Sequence, residues 1–149
     1  MTRRKLWLCV PPTLLGSVDH AVTLWFQPEA YWAGDYSQAR EANALLEGLM
    51  HHHPLVFEAG VAVWLVGLWT LLLVLPRLPS VMLCTCVTIG HTWGASSWLG
   101  DVREACDLSD GHLYWLTVAL CILSGIVLTV AVEASRDKEG NHGSHESNE

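Results

Sequence analysis

Long apolar runs with almost no charge constrain this chain more than any other feature. The run Phe57 to Leu75 covers nineteen residues, and its single charged side chain is Glu58. The run His112 to Val132 contains no Asp, Glu, Lys or Arg. Nineteen helical residues that rise about 1.5 Å each nearly match a hydrocarbon core of roughly 30 Å. Both runs therefore predict membrane-spanning helices.

Two further segments have the length of a span but are less apolar. Ser80 to Leu99 is uncharged and rich in small and hydroxyl residues, whereas Leu6 to Phe26 also contains two prolines and the pair Asp19-His20. A signal peptide is the alternative for the first segment, but the prolines and the missing small-x-small cleavage site favour a span. We predict one all-α membrane domain over residues 1–135, with four spans at about 6–26, 55–75, 80–99 and 112–132.

Composition supports a membrane protein and excludes one class of partner. Apolar residues make up 51% of the chain and charged residues 15%, with a net charge of −7. The acidic residues concentrate in the loop 101–110 and in the C-terminal tail, and no basic stripe indicates a nucleic-acid partner. The predicted partner is the lipid bilayer, with a homo-oligomer or a larger membrane complex left open. The polar tail, residues 136–149, is predicted to be disordered.

The distribution of lysine and arginine predicts the orientation. With four spans and a cytoplasmic N-terminus, six basic residues lie inside and two outside. Cytoplasmic loops normally carry such an excess. We therefore predict a multi-pass protein of the plasma membrane with both termini in the cytoplasm. The inner basic residues are Arg3, Arg4, Lys5, Arg77, Arg136 and Lys138, and the outer ones are Arg40 and Arg103.

The segment between the first two spans, residues 27–53, is too polar to cross a membrane. Its second part, residues 38–50, is predicted to be a short helix with Ser37 as its N-cap. An apolar stripe at helical spacing indicates that this helix lies on the outer surface of the bilayer. The stripe consists of Ala42, Leu45, Leu46 and Leu49. The following three histidines, residues 51–53, predict a solvated loop.

Unusual polar side chains from different segments are predicted to share one level near the outer side of the membrane. Ionisable groups at such depth are costly and normally face the bundle interior or a water-filled cavity. Two interpretations stay open: the side chains specify helix packing, as a bond between Asp19 and His91 would, or they form a binding site. The set consists of Asp19 with Thr23 on the same helical face, His20, Glu41, Asn43, Glu58, His91 and His112.

A metal site is an alternative use of these residues, because carboxylates and imidazoles bind zinc and iron. The candidate ligands are Asp19, His20, Glu41, His91 and His112. No local ligand motif such as His-Glu-x-x-His is present. We therefore predict no cofactor and keep a zinc or iron ion as the alternative. The Cys84-x-Cys86 spacing is too short for a zinc knuckle and predicts packing.

The first half of the chain also carries a set of short motifs in a distinctive order. A long apolar helix follows Asp19-x-x-x-Thr23, Gly34 and Glu41-Ala-Asn43-Ala44-Leu45. This order resembles an uncharacterised prokaryotic family of small membrane proteins, a domain of unknown function. That family has an Asp-x-x-x-Thr helix, a Glu-x-Asn-Pro turn and a hydrophobic helix; here Ala44 replaces the proline and Glu58 stands in place of a lysine. The resemblance implies a shared architecture and an important Asp-Glu-Asn set, but no reaction.

These observations favour a binding or accessory role over catalysis. Since no catalytic motif is present, we expect a non-enzymatic protein that binds a small ligand or ion or serves a larger complex. The alternative is a metal-dependent intramembrane hydrolase that uses Asp19, Glu41 and His91 as ligands or general base. A transporter would usually need more spans or an oligomer.

Overall fold

The computed structural model describes residues 3–41 and 43–136, and all regular structure in these ranges is helical. This confirms the predicted all-α fold class, and four long helices lie within a few residues of the four segments predicted from the sequence, whose number of membrane crossings stays a prediction. The long helices are α1 (Val10–Trp25), α4 (Pro54–Val74), α5 (Arg77–Ser97) and α7 (Asp110–Ala134), and the short ones are α2 (Glu29–Trp32), α3 (Ala44–His52) and α6 (Leu99–Ala105). Residues 137–149 of the predicted disordered tail lie outside the described ranges.

Prolines lie at the N-terminal ends of three of the four long helices, α1, α4 and α5. A 3-10 helix, Arg3–Cys9, leads into α1, whose first turn contains Pro11 and Pro12. Proline fits there because the first helical N–H groups have no partner within the helix. At the opposite end of the bundle from the α1 C-terminus, Pro76 separates α4 from α5. The predicted first span, 6–26, is thus a 3-10 helix followed by an α-helix.

The short helix α3 begins six residues later than predicted. Asn43, not Ser37, is its N-cap: the Asn43 side-chain oxygen accepts from the N–H groups of Leu45 at 3.0 Å and Leu46 at 3.4 Å. Ser37 lies in a separate 3-10 helix, Tyr36–Gln38, and donates to the Asp35 carboxylate at 2.6 Å. The predicted boundary was wrong because the Ser37 hydroxyl bonds to Asp35 and the Arg40 backbone bonds to Gln27, so the helix begins only after Arg40, with Asn43 as its cap.

The apolar residues of α3 contact protein more than the predicted lipid-facing stripe implies. Leu49 packs so closely on α4 that a Cβ placed on Gly60 would lie 2.5 Å from the Leu49 Cδ1. Leu46 packs against the buried cluster of Tyr31, Met50 and Phe57, whereas Leu45 is exposed. Ala42 lies outside the described residues. Of the three histidines predicted as a loop, His51 and His52 are the last residues of α3, and His53 connects α3 to α4 and caps α4 by accepting from the Leu55 N–H at 3.1 Å.

Two buried clusters occupy opposite ends of the bundle. One joins the start of the chain to the end of α4 and the start of α5, and it consists of Leu8, Cys9, Leu68, Leu72 and Cys84. The other consists of Tyr31, Met50 and Phe57, where the segment after α1 packs against α4. Between them, α1 and α5 make the most extensive helix–helix contact. This contact brings Asp19 of α1 next to His91 of α5.

Two helices, α4 and α7, are long and apolar enough to cross a membrane. Their most apolar 18-residue stretches have mean hydropathies of 2.0 and 2.4, yet only 17% and 11% of these stretches is buried. The core helix of a soluble domain would be mostly buried. The shorter α1 and the less apolar α5 do not meet the same criterion.

Candidate functional site

The crossing of α1 and α5 brings Asp19 and His91 into contact. The Asp19 Oδ2 and His91 Nδ1 atoms are 3.0 Å apart, and the two side chains are 22% and 23% exposed. Each side chain lies over a glycine of the opposite helix. A Cβ on Gly94 would lie 2.6 Å from the Asp19 carboxylate oxygens, and a Cβ on Gly16 would lie 3.1 Å from the His91 Nε2. A side chain at Gly94 would therefore displace the Asp19 carboxylate, whereas one at Gly16 would require the His91 ring to shift by only a few tenths of an ångström.

His91 lies between Gly90 and Gly94, a small-xxx-small spacing that allows close helix contact, and only one of the two glycines is used in this way. Gly94 faces the Asp19 carboxylate, whereas no atom lies within 4 Å of a Cβ built on Gly90. A larger residue at Gly90 would meet open space, while one at Gly94 would displace the carboxylate. The two glycines differ in role although they lie on the same helix.

A cleft of about 310 Å³ opens beside the Asp19–His91 pair. Its volume is at the lower end of the range of roughly 300–1,000 Å³ found for small-molecule sites. We call it the Asp19 cleft. It is lined by Asp19, Thr23, Arg40, Glu41, Trp93, Gly94, Ser97, Trp98 and Asp101.

Thr23 also lines this cleft, and the residue is 3% exposed. Its carbonyl accepts from the Gln27 Nε2 at 2.8 Å, which ties the end of α1 to the Gln27 side chain. A threonine hydroxyl can donate to or accept from a polar group of a bound molecule.

The buried amide of Gln27 holds the chain segment above the cleft. Its Nε2 donates to the Arg40 carbonyl and to the Thr23 carbonyl, each at 2.8 Å, and its Oε1 accepts from the Arg40 N–H at 2.8 Å. The backbone at Arg40 is therefore paired with a side chain of the α1 C-terminus. Next to it, Glu41 lines the cleft and accepts from the Asn43 N–H at 2.8 Å.

A cation–aromatic arrangement closes one side of the cleft. The Arg40 guanidinium lies 5.4 Å from the centre of the Trp98 ring, and its Nη1 donates to the Asp101 carboxylate at 3.1 Å. Trp98 is buried and stacks on Phe26, with ring centres 6.2 Å apart. The indole is thus fixed in place while one cation lies over it.

His20 and Glu58 form a separate pair on another side of α1. The His20 Nε2 and Glu58 Oε1 atoms are 3.0 Å apart, and the His20 ring stacks on Phe57 at 4.8 Å. The His20 Nδ1 is buried with no hydrogen-bond partner among the described residues. The predicted polar set therefore divides in two, because consecutive residues of a helix point about 100° apart.

The two remaining members of the predicted set serve as helix caps. Asn43 caps α3, and the His112 Nδ1 lies 2.9 Å from the Ser109 hydroxyl in a capping box that begins α7. Neither residue lines the Asp19 cleft. Of the predicted site residues, the cleft and its supporting pair contain Asp19, Thr23, Glu41 and His91.

The predicted metal ligands do not form one group. Within residues 3–41 and 43–136, no three His, Cys, Asp or Glu side chains lie close enough together to hold a metal ion. Cys84 lies in a buried cluster, whereas Cys86 is exposed, so only the first cysteine of this pair packs inside the bundle. The Ser97 hydroxyl donates to the Gly94 carbonyl at 2.6 Å rather than to His91.

No family model, curated protein or solved structure matches this chain. The resemblance of its first half to a prokaryotic membrane family therefore stays a prediction, and function must be inferred from the side chains themselves. Several contributors to the cleft and its support were not singled out as site residues from the sequence, among them Gln27, Arg40, Trp93, Trp98 and Asp101. Gln27, Trp98 and Asp101 lie at or next to the predicted outer end of a span, and Arg40 lies in the predicted short helix.

Proposed function

We propose that this chain is a four-span integral membrane protein that binds a small ligand or ion in the Asp19 cleft and catalyses no reaction. One observation carries the proposal. The Asp19 carboxylate is held by His91 at the wall of a cleft that Thr23, Glu41 and Trp98 also line. A concave site with a few convergent polar groups is the usual form of a small-ligand site.

The surface of the long helices supports a membrane location. Large apolar side chains along α4 and α7 are exposed, including Val63, Val66, Ile122, Ile126 and Val130. Contiguous exposed apolar surface of this extent is rare on soluble monomers and suits contact with lipid. Only α4 and α7 are apolar enough by themselves to indicate a span. Because α1 and α5 pack against each other and against α7, we extend the proposal of a membrane span to α1 and α5.

Contacts at the two ends of the bundle support the orientation with both termini in the cytoplasm. The Lys5 ammonium donates to the Leu75 carbonyl at 2.6 Å, so the basic N-terminal segment lies near the α4–α5 turn that contains Arg77. Arg40 pairs with Asp101 at the other end of α5. This arrangement agrees with the six-to-two division of basic residues, and in the proposed orientation the cleft lies on the outer side.

Hydrogen bonding in the cleft favours binding over hydrolysis. A nucleophile and its base lie within hydrogen-bond reach in most covalent catalysts, and Ser97 instead bonds to its own backbone turn. His91 is engaged by Asp19, and the Asp101 carboxylate by Arg40. The side chains hold one another in a fixed arrangement, as a binding site requires. The metal-dependent alternative becomes one arm of the test.

Thermal unfolding of the purified protein in detergent, with added cations, tests this proposal. The probes are Na⁺, Ca²⁺, Zn²⁺ and ethanolamine, each compared in wild type, Asp19→Asn and the control Glu58→Gln. A cation at ten times its Kd should stabilise the wild type and the control by about 1.4 kcal/mol. The same cation should have no effect on Asp19→Asn. The proposal is wrong if no probe stabilises the wild type, or if Asp19→Asn responds equally.

A further inference from the structure

Aromatic and acidic side chains meet in the Asp19 cleft in a combination suited to one kind of cation. The indole rings of Trp93 and Trp98 line it together with the carboxylates of Asp19, Glu41 and Asp101. An indole face attracts a cation through its ring quadrupole, most strongly when the cation is poorly hydrated. Calcium and magnesium instead select oxygen ligands alone. The lining therefore favours an organic ammonium group over a hard metal ion.

The cleft already contains a cation of this kind, supplied by the chain itself. The Arg40 guanidinium lies 5.4 Å from the centre of the Trp98 ring and donates to Asp101 at 3.1 Å. It thus makes the two contacts that a bound ammonium group would make, one with an aromatic face and one with a carboxylate. A side chain in this position would compete with a ligand for both.

The Arg40 side chain can rotate out of the cleft without disturbing the backbone that carries it. Its backbone is paired through both its N–H and its carbonyl with the buried Gln27 amide, each at 2.8 Å. The side chain itself is 53% exposed and its partner Asp101 27%. Ion pairs with this much exposure are weak, so a rotation of the side chain into solvent requires little free energy. The anchored backbone then returns the guanidinium when the cleft is empty.

We propose that the Asp19 cleft binds an organic ammonium group and that the Arg40 side chain occupies its position in the ligand-free protein. The inference rests on the proposed ligand-binding function and names the ligand class and its regulation. The alkyl groups of the ammonium lie on Trp98, its charge faces Asp101, Asp19 and Glu41, and Thr23 offers a hydroxyl. The ammonium group belongs either to a free amine or to the headgroup of a zwitterionic lipid.

The test is calorimetric titration of choline into the purified full chain in detergent, comparing wild type with Arg40→Gln. Because the resident side chain reduces the competent fraction of the protein, its removal should tighten choline binding by about five- to tenfold. Arg103→Gln is the matched control. It removes the same charge from the same end of the molecule, where Arg103 pairs with Asp110 outside the cleft. We expect its choline affinity to equal that of the wild type within about twofold.

Three comparisons separate the proposed contacts from simple charge effects. The neutral isostere 3,3-dimethylbutan-1-ol should not bind, and Trp98→Leu should weaken choline binding by about tenfold. Ca²⁺ affinity should not rise in Arg40→Gln as much as choline affinity does. If Arg40→Gln fails to fold, Arg40→Met, which keeps the length of the side chain, replaces it. Arg40→Lys keeps the competing charge and should bind choline as the wild type does.

Reconstitution identifies the source of the ammonium group. In nanodiscs of phosphatidylcholine, a headgroup ligand would weaken the apparent affinity for added choline relative to nanodiscs of phosphatidylglycerol. A free amine ligand would leave the two affinities equal. Both outcomes support an ammonium site, and they assign it to different ligands.

Equal choline affinity in wild type and Arg40→Gln would overturn the competing role of Arg40. A rise in Ca²⁺ affinity as large as the rise in choline affinity on Arg40→Gln would overturn it too. A site that binds Ca²⁺ or Zn²⁺ in an Asp19-dependent way, but binds choline in neither protein, would overturn the ammonium inference while leaving the proposed function intact. If no cation binds either protein, the proposed function fails together with the inference.

Discussion

Two neighbouring residues of α1 form the same kind of contact in different surroundings. Asp19 meets His91 on α5, and His20 meets Glu58 on α4, each at 3.0 Å. The first pair lies over glycines at a close helix crossing and borders a cleft. The second leaves Glu58 49% exposed. Equal distances therefore do not imply equal energies, because burial and fixed geometry determine how much a polar pair contributes.

If the proposed function holds, the difference also separates a pair beside a ligand site from a pair that only joins two helices. Asp19 keeps one carboxylate oxygen in the bond to His91 and lines a cleft large enough for a small molecule. His20 instead stacks on Phe57 and secures α1 against α4. We therefore expect substitutions at the Asp19 pair to affect both stability and binding, and substitutions at the His20 pair to affect stability alone.

The largest effect is expected at the glycine under Asp19. Gly94→Ala places a methyl group 2.6 Å from the carboxylate oxygens and must break the bond to His91. We expect the free energy of unfolding to fall by about 1–3 kcal/mol, as overpacking usually causes. Gly90→Ala is the control on the same helix, where a Cβ meets open space. Helix propensity should stabilise this control by up to about 1 kcal/mol.

Chemical unfolding in detergent measures both variants. Equal losses in the two would show that Gly94 is not specially placed, and the account of the α1–α5 crossing would then be wrong. A crossing that tolerates alanine at Gly94 would also remove the reason for glycine at Gly16.

The next effect is the coupling between Asp19 and His91. Either single change, Asp19→Asn or His91→Gln, leaves the other partner poorly satisfied in a partly buried position. A double-mutant cycle on the free energy of unfolding should give a coupling of about 1–2 kcal/mol. Additive losses within about 0.5 kcal/mol would mean that the two side chains do not interact.

The same cycle on His20 and Glu58 should give a smaller value. Because Glu58 is half exposed, we expect a coupling below about 1 kcal/mol for His20→Gln and Glu58→Gln. The stack of His20 on Phe57 is lost both in His20→Gln and in the double variant. Its loss therefore cancels in the coupling energy and appears only in the effect of His20→Gln. A coupling as large as that of the Asp19 pair would contradict the comparison.

The smallest effect is expected at Tyr31, which shares the buried cluster of Phe57. Burial raises the pKa of the Tyr31 phenol, and the neighbouring Tyr36 raises it further. Its hydroxyl has no partner among the described residues, so Tyr31→Phe should change the free energy of unfolding by less than about 1 kcal/mol near neutral pH.

The pH dependence follows from the direction of that shift. A raised pKa means that the folded protein keeps the proton more firmly than the unfolded chain, so this contribution to stability is present below the ordinary pKa of tyrosine and is lost as pH rises above it. Between neutral and strongly alkaline pH, the free energy of unfolding should therefore fall more steeply for wild type than for Tyr31→Phe. Parallel curves would contradict the assignment.

The sequence predicted the long helices well because apolar runs and prolines act locally. Uncharged stretches and Pro76 fixed α4 and α5 to within a few residues. The pairing of Asp19 with His91 was among the interpretations, since both were expected at one depth. The start of α3 was missed because the choice between Ser37 and Asn43 as N-cap depends on the hydrogen bonds of the Arg40 backbone to the Gln27 side chain.

The division of the polar set could not be read from depth alone. Membrane depth gives height along a helix and leaves the direction around its axis open, and that direction separates Asp19 from His20. The contact of Arg40 with Trp98 joins residues far apart in sequence. Such a contact follows from the packing of α5 against α1, for which the sequence contains no local signal.

Labelling of single cysteines with an impermeant maleimide in intact cells tests the central claim most directly, that a membrane bundle opens the Asp19 cleft to the outer side. In a cysteine-free background, Ser97→Cys in the cleft should react from outside, and Leu78→Cys near the opposite end should react only after permeabilisation. Ile126→Cys, exposed on α7, should react poorly in both conditions because lipid covers it. Reaction of Leu78→Cys from outside, or free reaction of Ile126→Cys, would contradict the account.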